Sequence, residues 1–408
     1  MAERPYPKLH VSEKAERSLR RGHPWVYDAE ITASDDVPEN GAIVDVYSAK
    51  DRWLGAGFYS ACSKIRVRVI SRNTNDRFDE PFWERRIRYA VEYRRQVMGD
   101  DFEACRLVFG EADSFPGWTV DRYGDVLVSQ VLSVGIEVRR EMLYRLLVDV
   151  LASLGVTVRA IVERNDAPVR KLEGLETSVR LVDLPGLSTD FDGKLTIREN
   201  GILYRVDCLD GQKTGYFLDQ KYNRLAAAKI AGGRRVLDCF THTGAFALNC
   251  AAAGAAHVTA VDISEDAIAA ARENAVLNGL DGVMDFRAVD VFDLLTAMAA
   301  EKNCPYDYII LDPPAFTKNR GTVGSAIRGY REINRRAMSL LPRGGYLATC
   351  SCSHFMTDPL FREMLAAAAA DANVSLRQIE GRQQAPDHPI LWNVPETDYL
   401  KFYLFQIV

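Results

Sequence analysis

Two cysteines, Cys350 and Cys352, lie one residue apart at the end of a short apolar run. A thiolate is a strong nucleophile, so a cysteine beside a reacting atom can form a covalent intermediate. A carboxylate follows another apolar run, in the segment Asp312-Pro313-Pro314. Buried cysteines are also common as small core residues. The spacing therefore leaves two interpretations for the thiols, covalent catalysis near a carboxylate or packing in the core.

Three more carboxylates occupy the same kind of position, each directly after a short apolar run. Asp238 opens a turn that ends at Gly244, Asp262 comes 24 residues after Asp238, and Asp290 follows the next run. With one glycine, the turn is neither the GxGxxG fingerprint nor a P-loop. It can pass close to an adenosyl ligand, whose ribose hydroxyls the second carboxylate can bind and whose adenine amino group the third can bind. Helix N-capping is the competing interpretation for each aspartate.

These side chains must be positioned by the elements around them, which alternate regularly after residue 234. Strands are predicted at 236–240, 257–261, 284–288, 308–311 and 346–350, and helices at 245–253, 264–278, 291–300, 322–341 and 358–370. This alternation is typical of a doubly wound parallel sheet. Ligands of such a sheet bind beyond the carboxyl ends of its strands, where the turn, the aspartates and the cysteines all fall.

The first half of the sequence has a different pattern. Residues 1–78 are β-rich, with strands predicted at 43–47, 53–59 and 65–70 and a helix at 12–21 that Ser12 caps and Gly22 ends. The next segment is predicted as a small α+β module, with helices at 82–97 and 137–154 and strands at 107–109, 118–121, 126–131 and 160–163. We therefore expect three domains, at 1–78, 79–190 and 191–408.

Composition limits the class of protein. The 408 residues are 47% hydrophobic and 26% charged, with a formal net charge of −5, which excludes collagen, coiled coil and wholesale disorder. No apolar run is long enough for a transmembrane helix, and the start lacks an apolar signal core, so we expect no membrane contact and a cytoplasmic location. The eight cysteines lack the paired spacing of metal sites. Net acidity argues against indiscriminate nucleic-acid binding, although residues 1–78 carry 13 Lys and Arg against 11 Asp and Glu.

The motifs after residue 200 resemble those of class I S-adenosylmethionine-dependent methyltransferases. The turn at 238–244 looks like the first motif of that family, Asp262 like the second, Asp290 like the third, and the segment 312–316 (DPPAF) like the fourth. The segment 211–220 (GQKTGYFLDQ) looks like the stretch that closes over the cofactor in that family.

The whole chain is similar to the large-subunit (23S) ribosomal RNA cytosine-C5 methyltransferases that carry an N-terminal PUA domain. The similarity rests on the segments 21–27 (RGHPWVY) and 107–123 (LVFGEADSFPGWTVDRY) as well as on the later motifs. It implies an α/β protein with a Rossmann-like methyltransferase domain, a β-rich PUA domain for RNA and a central α+β module. It also implies S-adenosyl-L-methionine as cofactor and ribosomal RNA as partner, while a homodimer is one oligomeric state that the sequence allows.

The resemblance assigns residues to each partner. The cofactor would be bound by residues of the strand ends and of the preceding segment: Asp238, Phe240, Thr241, Gly244, Asp262, Ile263, Asp290, Asp312, Tyr216 and Phe217. The RNA would be contacted by Lys213, Phe316, Arg20 and Arg21. Solvent-exposed loops or helix ends are equal alternatives for the basic residues, and core packing is the alternative for Phe316.

Cytosine-C5 chemistry requires a thiol of this kind. C5 of cytosine is a poor nucleophile, and thiolate attack at C6 produces an enamine-like species whose C5 can accept a methyl group. In the resemblance, Ser351-Cys352-Ser353 matches the nucleophile motif, which favours Cys352 over Cys350. Asp312 would then bind the N3 and N4 edge of the base. The residue that removes the C5 proton is not identified.

Two other functions remain open from the sequence. The Asp-Pro-Pro-Ala-Phe segment is close to a pattern used for methylation of exocyclic amines, so N-methylation of guanine or adenine in RNA is one alternative. A non-catalytic RNA-binding assembly factor that retains a cofactor pocket is the other. Cofactor binding and the requirement for a cysteine distinguish the three.

Overall fold

The computed structural model describes residues 4–301, 304–317 and 320–408, so the first three residues of the predicted 1–78 domain lie outside it. The described residues form two compact units. The first contains the chain up to Leu195 together with Val206–Leu218 and Pro386–Thr397, and the second contains Thr196–Arg205, Asp219–Ala385 and Asp398–Val408. In these ranges, no helix combines the length and apolar character that a membrane span requires.

The N-terminal part of the first unit is a mixed sheet with a helix. Its elements are β1 (Lys8–Val11), α1 (Glu13–Arg20), β2 (Trp25–Tyr27), β3 (Ile31–Ser34), β4 (Ile43–Ser48), β5 (Trp53–Tyr59) and β6 (Ile65–Ser71), and the strand order is β2-β6-β5-β4-β1-β3. The predicted helix is confirmed, with Ser12 Oγ accepting from the Ala15 amide at its N-terminus. The predictions for β4, β5 and β6 are confirmed, but β1 to β3 were missed because they are only three or four residues long.

A second sheet and its helices complete the first unit. They are α2 (Glu80–Met98), β7 (Ala104–Phe109), β8 (Trp118–Tyr123), β9 (Val126–Val131), α3 (Val134–Glu137), α4 (Arg140–Ser153), β10 (Ala160–Asn165) and β11 (Ser178–Leu181), with strand order β11-β10-β9-β8-β7. The predicted helix at 137–154 is confirmed as α4, which begins three residues later than predicted, whereas the short helix α3 before it was not predicted. Between the two helices, the Arg139 guanidinium donates to the carbonyl oxygens of Gly135 and Gly41, each at 2.8 Å.

A hairpin and an α/β sheet follow. The hairpin consists of β12 (Lys194–Glu199) and β13 (Ile202–Asp207). The sheet unit contains α5 (Lys221–Ala228), β14 (Arg235–Cys239), α6 (Ala245–Ala252), β15 (His257–Asp262), α7 (Glu265–Leu277), β16 (Met284–Ala288), α8 (Val291–Glu301), β17 (Tyr308–Leu311), α9 (Val323–Leu340), β18 (Tyr346–Ser351), α10 (Asp358–Asp371), β19 (Leu376–Arg382) and β20 (Lys401–Ile407). Its strand order is β16-β15-β14-β17-β18-β20-β19.

The strand order confirms the doubly wound arrangement but corrects the prediction of a wholly parallel sheet. Strands β14 to β18 are parallel, whereas β20 runs antiparallel to both β18 and β19. Neither β19 nor the run at 401–407 (KFYLFQI) was predicted as a strand. The predicted alternation of strands and helices ends with the helix at 358–370, and no helix separates β19 from β20. The pairing of β20 with β18 places Lys401 opposite Ser351, next to the Cys352 segment.

The core of the second unit explains why the strand ends are held in place. Helices α8, α9 and α10 pack on one another and against the sheet, enclosing fully buried side chains such as Leu237, Ile309, Tyr330, Leu347 and Phe361. Helices α5, α6 and α7 form another packed group. Apolar burial of this kind is the main stabilising contribution to a fold, and it leaves the polar residues at the carboxyl ends of the strands.

Candidate active site

The turn after β14 is organised around a buried carboxylate. Asp238 Oδ2 accepts hydrogen bonds from Thr241 Oγ1 at 2.5 Å and from the Ala247 amide at 3.0 Å. Phe240 has φ +64° and Gly244 has φ +83°, so both adopt left-handed conformations. Non-glycine residues in this conformation, such as Phe240, tend to cluster at functional sites. Burial raises the pKa of Asp238 to about 7, although the two hydrogen bonds oppose the shift. Asp238 therefore supports the turn from within the unit.

One oxygen of Asp238 lacks a partner. Oδ1 is buried, and no residue in the described ranges forms a hydrogen bond with it. A buried acceptor without a donor is costly, so this atom indicates a missing donor at the turn.

The end of β15 is hydrogen-bonded both to that turn and to the end of β16. Asp262 Oδ2 accepts from the His242 amide and Oδ1 from the Ser264 amide, both at 3.0 Å. The Val289 amide donates to the carbonyl oxygen of Asp262 at 2.9 Å. Ile263 is 70% exposed although it is a large apolar residue. The second motif thus presents an apolar side chain to solvent beside a fixed carboxylate.

Asp290 caps a helix, as the competing interpretation had it. Its Oδ1 accepts from the amides of Phe292 at 2.7 Å and Asp293 at 3.3 Å, at the start of α8. These bonds from described residues all use Oδ1. Capping and ligand binding are therefore compatible, since a carboxylate offers two acceptor oxygens.

Asp312 lies in a more strongly perturbed environment at the end of β17. Gln220 Nε2 donates to Asp312 Oδ1 at 3.1 Å. Burial, followed by the charge of Asp219, raises the pKa of Asp312 to about 6, while Arg224 and hydrogen bonds from Cys350 and Gln220 oppose the shift. A carboxyl group with a pKa in this range can either donate or accept a hydrogen bond near neutral pH.

The two cysteines have different environments. Cys350 is fully buried, and desolvation followed by the charge of Asp312 raises its pKa far above the ordinary range of a thiol. Cys352 is partly exposed, and its Sγ lies 3.9 Å from the carbonyl oxygen of Pro313. Only a thiolate is strongly nucleophilic, and the raised pKa keeps Cys350 protonated. The partly exposed Cys352 is therefore the better candidate for a nucleophile.

Two family models match the chain. The model for S-adenosylmethionine-dependent methyltransferases matches residues 186–406, and that for PUA-like domains matches residues 9–72. Ribosomal RNA large subunit methyltransferase I of Klebsiella pneumoniae is 38% identical over 99% of this chain and 99% of its own length. The protein with the same name from Salmonella newport is 39% identical, again over 99% of this chain and 98% of its own length.

The chain belongs to this family of S-adenosylmethionine-dependent methyltransferases.

Solved structures agree on the fold. A Streptococcus mutans structure assigned to the S-adenosylmethionine-dependent methyltransferases has a TM-score of 0.81 at 23% identity, covering 98% of this chain and 99% of its own. A methyltransferase structure solved in complex with SAH (S-adenosylhomocysteine) has a TM-score of 0.82 at 24% identity, with the same coverage. These structures and the family models confirm the predicted fold class. The match to the S-adenosylmethionine-dependent methyltransferase model, together with the relatives, confirms the enzyme class and the cofactor.

Phe316, predicted to contact RNA, is half-buried and packs on α9. Its ring centroid lies 4.5 Å from that of Tyr330 and 6.3 Å from that of Phe292. A Cβ on Gly329 would approach the Phe316 ring to 3.2 Å, so α9 is fitted closely to this side chain. Packing therefore accounts for one face of the ring, and a role in RNA binding stays a prediction.

The remaining predicted residues belong to the first unit. Lys213 is exposed, with Nζ 4.4 Å from the ring centroid of Phe217. Tyr216 is buried within that unit, and its carbonyl oxygen accepts from the hydroxyl of Tyr123 at 3.3 Å. The basic pair at the end of α1 is exposed, and the first of the two, Arg20, pairs with a glutamate one turn earlier. Their roles in cofactor or RNA binding stay predictions.

Two polar residues at the site were missed from the sequence. Gln220 ends the segment 211–220 but was not predicted as a site residue, and its amide donates to Asp312. Lys401 is 3% exposed, and its Nζ donates to the carbonyl oxygens of Ser353 at 2.7 Å and Tyr399 at 2.9 Å. A lysine directly before the apolar run at 402–405 was the signal that could have identified Lys401.

Proposed function

We propose that this methyltransferase forms 5-methylcytosine in large-subunit ribosomal RNA, with Cys352 as the covalent nucleophile. The observation that carries the proposal is the environment of the two thiols. Cys352 is partly exposed beside the Asp312 segment, whereas Cys350 is buried and has a strongly raised pKa. An enzyme that methylates an exocyclic amine needs no accessible thiol at this edge.

The ribosomal RNA substrate is supported by the relatives. Proteins 38% and 39% identical over nearly the whole chain are named ribosomal RNA large subunit methyltransferases. The PUA-like match at residues 9–72 lies within the slightly basic segment 1–78. A target base must leave its stack to reach a pocket beyond strand ends, and Lys213, Phe316, Arg20 and Arg21 are our candidates for RNA contacts.

The cofactor pocket is assigned to the strand ends of β14, β15 and β16. We assign the ribose to Asp262, the adenine to Asp290 with the exposed side chain of Ile263, and the methionine portion to the turn at 238–244. The orphaned Oδ1 of Asp238 fits this assignment, since the amino group of a methionine portion would supply the missing donor. Tyr216 and Phe217 of the preceding segment remain candidates for closing the pocket.

The reaction follows from the groups at β17 and β18. The Cys352 thiolate attacks C6 of the cytosine, which makes C5 nucleophilic. C5 would then take the methyl group that bound S-adenosylmethionine would supply, and S-adenosylhomocysteine would be left. Loss of the C5 proton to a base then lets the C6–sulfur bond break and releases the thiolate. Asp312, with a pKa of about 6, would bind the N3 and N4 edge of the base, and its charged form would accept from the N4 amino group.

The decisive experiment compares the two cysteines. We expect Cys352→Ala to lose at least about 1,000-fold in methyl transfer, and Cys350→Ala to lose less than about tenfold. Methylation would be measured as 5-methylcytosine in ribosomal RNA from a deletion strain, with cofactor binding checked by calorimetry. RNA that contains 5-fluorocytosine should form a covalent adduct with the wild-type enzyme and none with Cys352→Ala. Full activity in Cys352→Ala with cofactor bound would refute the proposal.

The Asp-Pro-Pro-Ala-Phe segment supports N-methylation of guanine or adenine as a second candidate. That reaction requires no thiol, so activity would survive the double substitution of Cys350 and Cys352. Mapping the modified base in the RNA separates the two reactions directly.

We further propose that the protein is located in the cytoplasm. We also propose a homodimer as the oligomeric state to test first. Cell fractionation addresses the former, and sedimentation of the purified protein addresses the latter. A single monomeric species at micromolar concentration would dismiss the homodimer.

A further inference from the structure

Lys401 is a buried cation next to the segment that carries Cys352. It is 3% exposed at the start of β20, where it pairs with Ser351 of β18. Two of its N–H groups donate to the carbonyl oxygens of Ser353 and Tyr399, at 2.7 and 2.9 Å. One of these acceptors belongs to the residue that directly follows Cys352. The lysine therefore fixes the backbone on the carboxyl side of the thiol.

The charge of Lys401 is incompletely compensated. An ammonium group has three N–H donors. Within the described ranges only two of them find acceptors, and Nζ forms no salt bridge with a carboxylate. A buried charge without a close counter-ion is costly. Desolvation accordingly lowers the pKa of Lys401 to about 8, with opposing electrostatic contributions from Asp398, Cys352 and Asp358. At neutral pH the side chain is still mainly cationic.

The loop around Cys352 is held from the other side as well. Ser353 Oγ donates to the carbonyl oxygen of Thr317 at 2.8 Å, and Ser351 Oγ donates to the hydroxyl of Tyr330 at 3.1 Å. Both serine side chains of the Ser-Cys-Ser segment therefore point into the unit and form hydrogen bonds there. Between them, the Cys352 side chain is partly exposed.

We propose that Lys401 is a positioning residue for the nucleophile, whose ammonium group anchors the Cys352 segment and stabilises the thiolate of Cys352. This inference rests on the proposed function, in which that thiolate attacks the base. An opposite charge near a thiol favours the ionised form, and the thiolate in turn completes the charge balance of the buried ammonium. No bond to Lys401 forms or breaks in the reaction.

The titratable groups around this pair define the expected pH range. The groups that interact with Cys352 or Lys401 are Cys350 on β18, Tyr330 on α9, Asp358 on α10 and Asp398 before β20. Asp312 precedes Pro313, whose carbonyl oxygen lies 3.9 Å from Cys352 Sγ. Lys401 loses its charge as the pH rises through about 8. Its effect on the thiolate is therefore largest below pH 8 and disappears above that value.

The test measures alkylation of Cys352 by iodoacetamide against pH, with each cysteine followed by mass spectrometry of its own peptide. Exposed Cys62 is the internal reference. We expect Lys401→Gln, which keeps amide donors and loses the charge, to move the alkylation midpoint of Cys352 upward by about one pH unit. At pH 7 the rate should fall about tenfold. Lys401→Arg should retain the wild-type midpoint.

Controls separate charge from folding. Lys229→Gln removes an exposed lysine of α5's C-terminal end that pairs with Glu380, and it should leave the midpoint unchanged. A purely structural role for Lys401 would change the alkylation rate equally at every pH, and that result would overturn the proposal. If Lys401→Gln does not fold, the wild-type profile decides: the midpoint of Cys352 should lie below that of Cys62, and an equal or higher midpoint refutes the inference.

The outcomes also distinguish this inference from the proposed function. Loss of 5-methylcytosine in Cys352→Ala together with an unchanged alkylation midpoint in Lys401→Gln would retain the nucleophile and reject the role of the lysine. Full methylation by Cys352→Ala would reject the nucleophile, whatever the alkylation profile.

Discussion

The strand ends of β14, β15 and β16 differ from those of β17 and β18 in how their polar groups are held. In the first group, each aspartate bonds to an amide within nine residues, as Asp290 does with Phe292 and Asp262 with Ser264. Asp262 also accepts from the His242 amide in the turn after the neighbouring strand β14. In the second group, Asp312 depends on Gln220, and the Cys352 segment depends on Lys401. The assigned cofactor side is thus built from local turns, whereas the assigned base side is built from residues distant in the sequence.

This difference has a physical consequence. A local turn forms with little loop-closure cost and brings its own capping bonds. A contact between distant residues exists only when the whole sheet has assembled. Substitutions in the cofactor half should therefore alter binding or stability at one turn, and substitutions in the base half should alter chemistry while leaving the cofactor site intact.

The largest expected effect concerns Asp238. Its pKa of about 7 is raised above the ordinary value for an aspartate, so the native state holds a proton that the unfolded chain releases near pH 4. This contribution to stability is complete below about pH 4 and is lost as the pH rises to about 7, by at most about 4 kcal/mol. In Asp238→Asn, which cannot ionise at this position, the free energy of unfolding should depend less on pH over this range. Chemical unfolding at pH 4.5, 6 and 8 measures it, and identical slopes in both proteins would contradict the buried-carboxylate account.

Asp262→Ala should weaken S-adenosylmethionine binding about 30-fold to 100-fold, because two charge-assisted hydrogen bonds to the ribose would be lost. Calorimetry measures the affinity. Asp285→Ala is the matched control, since Asp285 is an exposed strand residue paired with His257. Equal affinity in wild type and Asp262→Ala would remove Asp262 from the cofactor site.

Gln220→Leu should lower the methylation rate about tenfold and leave cofactor affinity unchanged. The Gln220 amide favours the charged form of Asp312, so its loss should raise the pKa of Asp312 and shift the acidic limb of the rate profile to higher pH. The pH dependence of single-turnover methylation tests this. A parallel loss of cofactor affinity would break the division between the two halves.

Ser264→Ala should produce the smallest effect. Ser264 Oγ accepts from the Ala267 amide at 3.2 Å at the N-terminus of α7, and loss of such a cap costs about 1 kcal/mol of unfolding free energy. Urea unfolding measures the change, with methylation near the wild-type rate. A large loss of activity would show that the α7 turn does more than cap a helix.

Residues within local patterns were predictable from the sequence. The turn at 238–244, the aspartates at strand ends and the helix capped by Ser12 each depend on neighbours along the chain, and strand–helix alternation revealed the order of β14 to α10. The late start of α4 was missed, and Arg139 in the turn before it bonds to the Gly41 carbonyl, which is 98 residues away in the sequence. The antiparallel β20 was also missed, since pairing direction is absent from a single apolar run.

The sequence by itself therefore determined the strand–helix order of β14 to α10 and which residue types lie at the strand ends, because periodicity and turn chemistry are local properties. The cofactor class followed from the resemblance of these motifs to a known family. Tertiary structure alone decided the environments of those residues. It buried Cys350 and left Cys352 partly exposed, raised the pKa of Asp238 and Asp312 through desolvation, and placed Lys401 beside the Cys352 segment. Burial and long-range proximity arise only when the sheet and its helices pack together, and these two properties determine which of the two thiols is accessible.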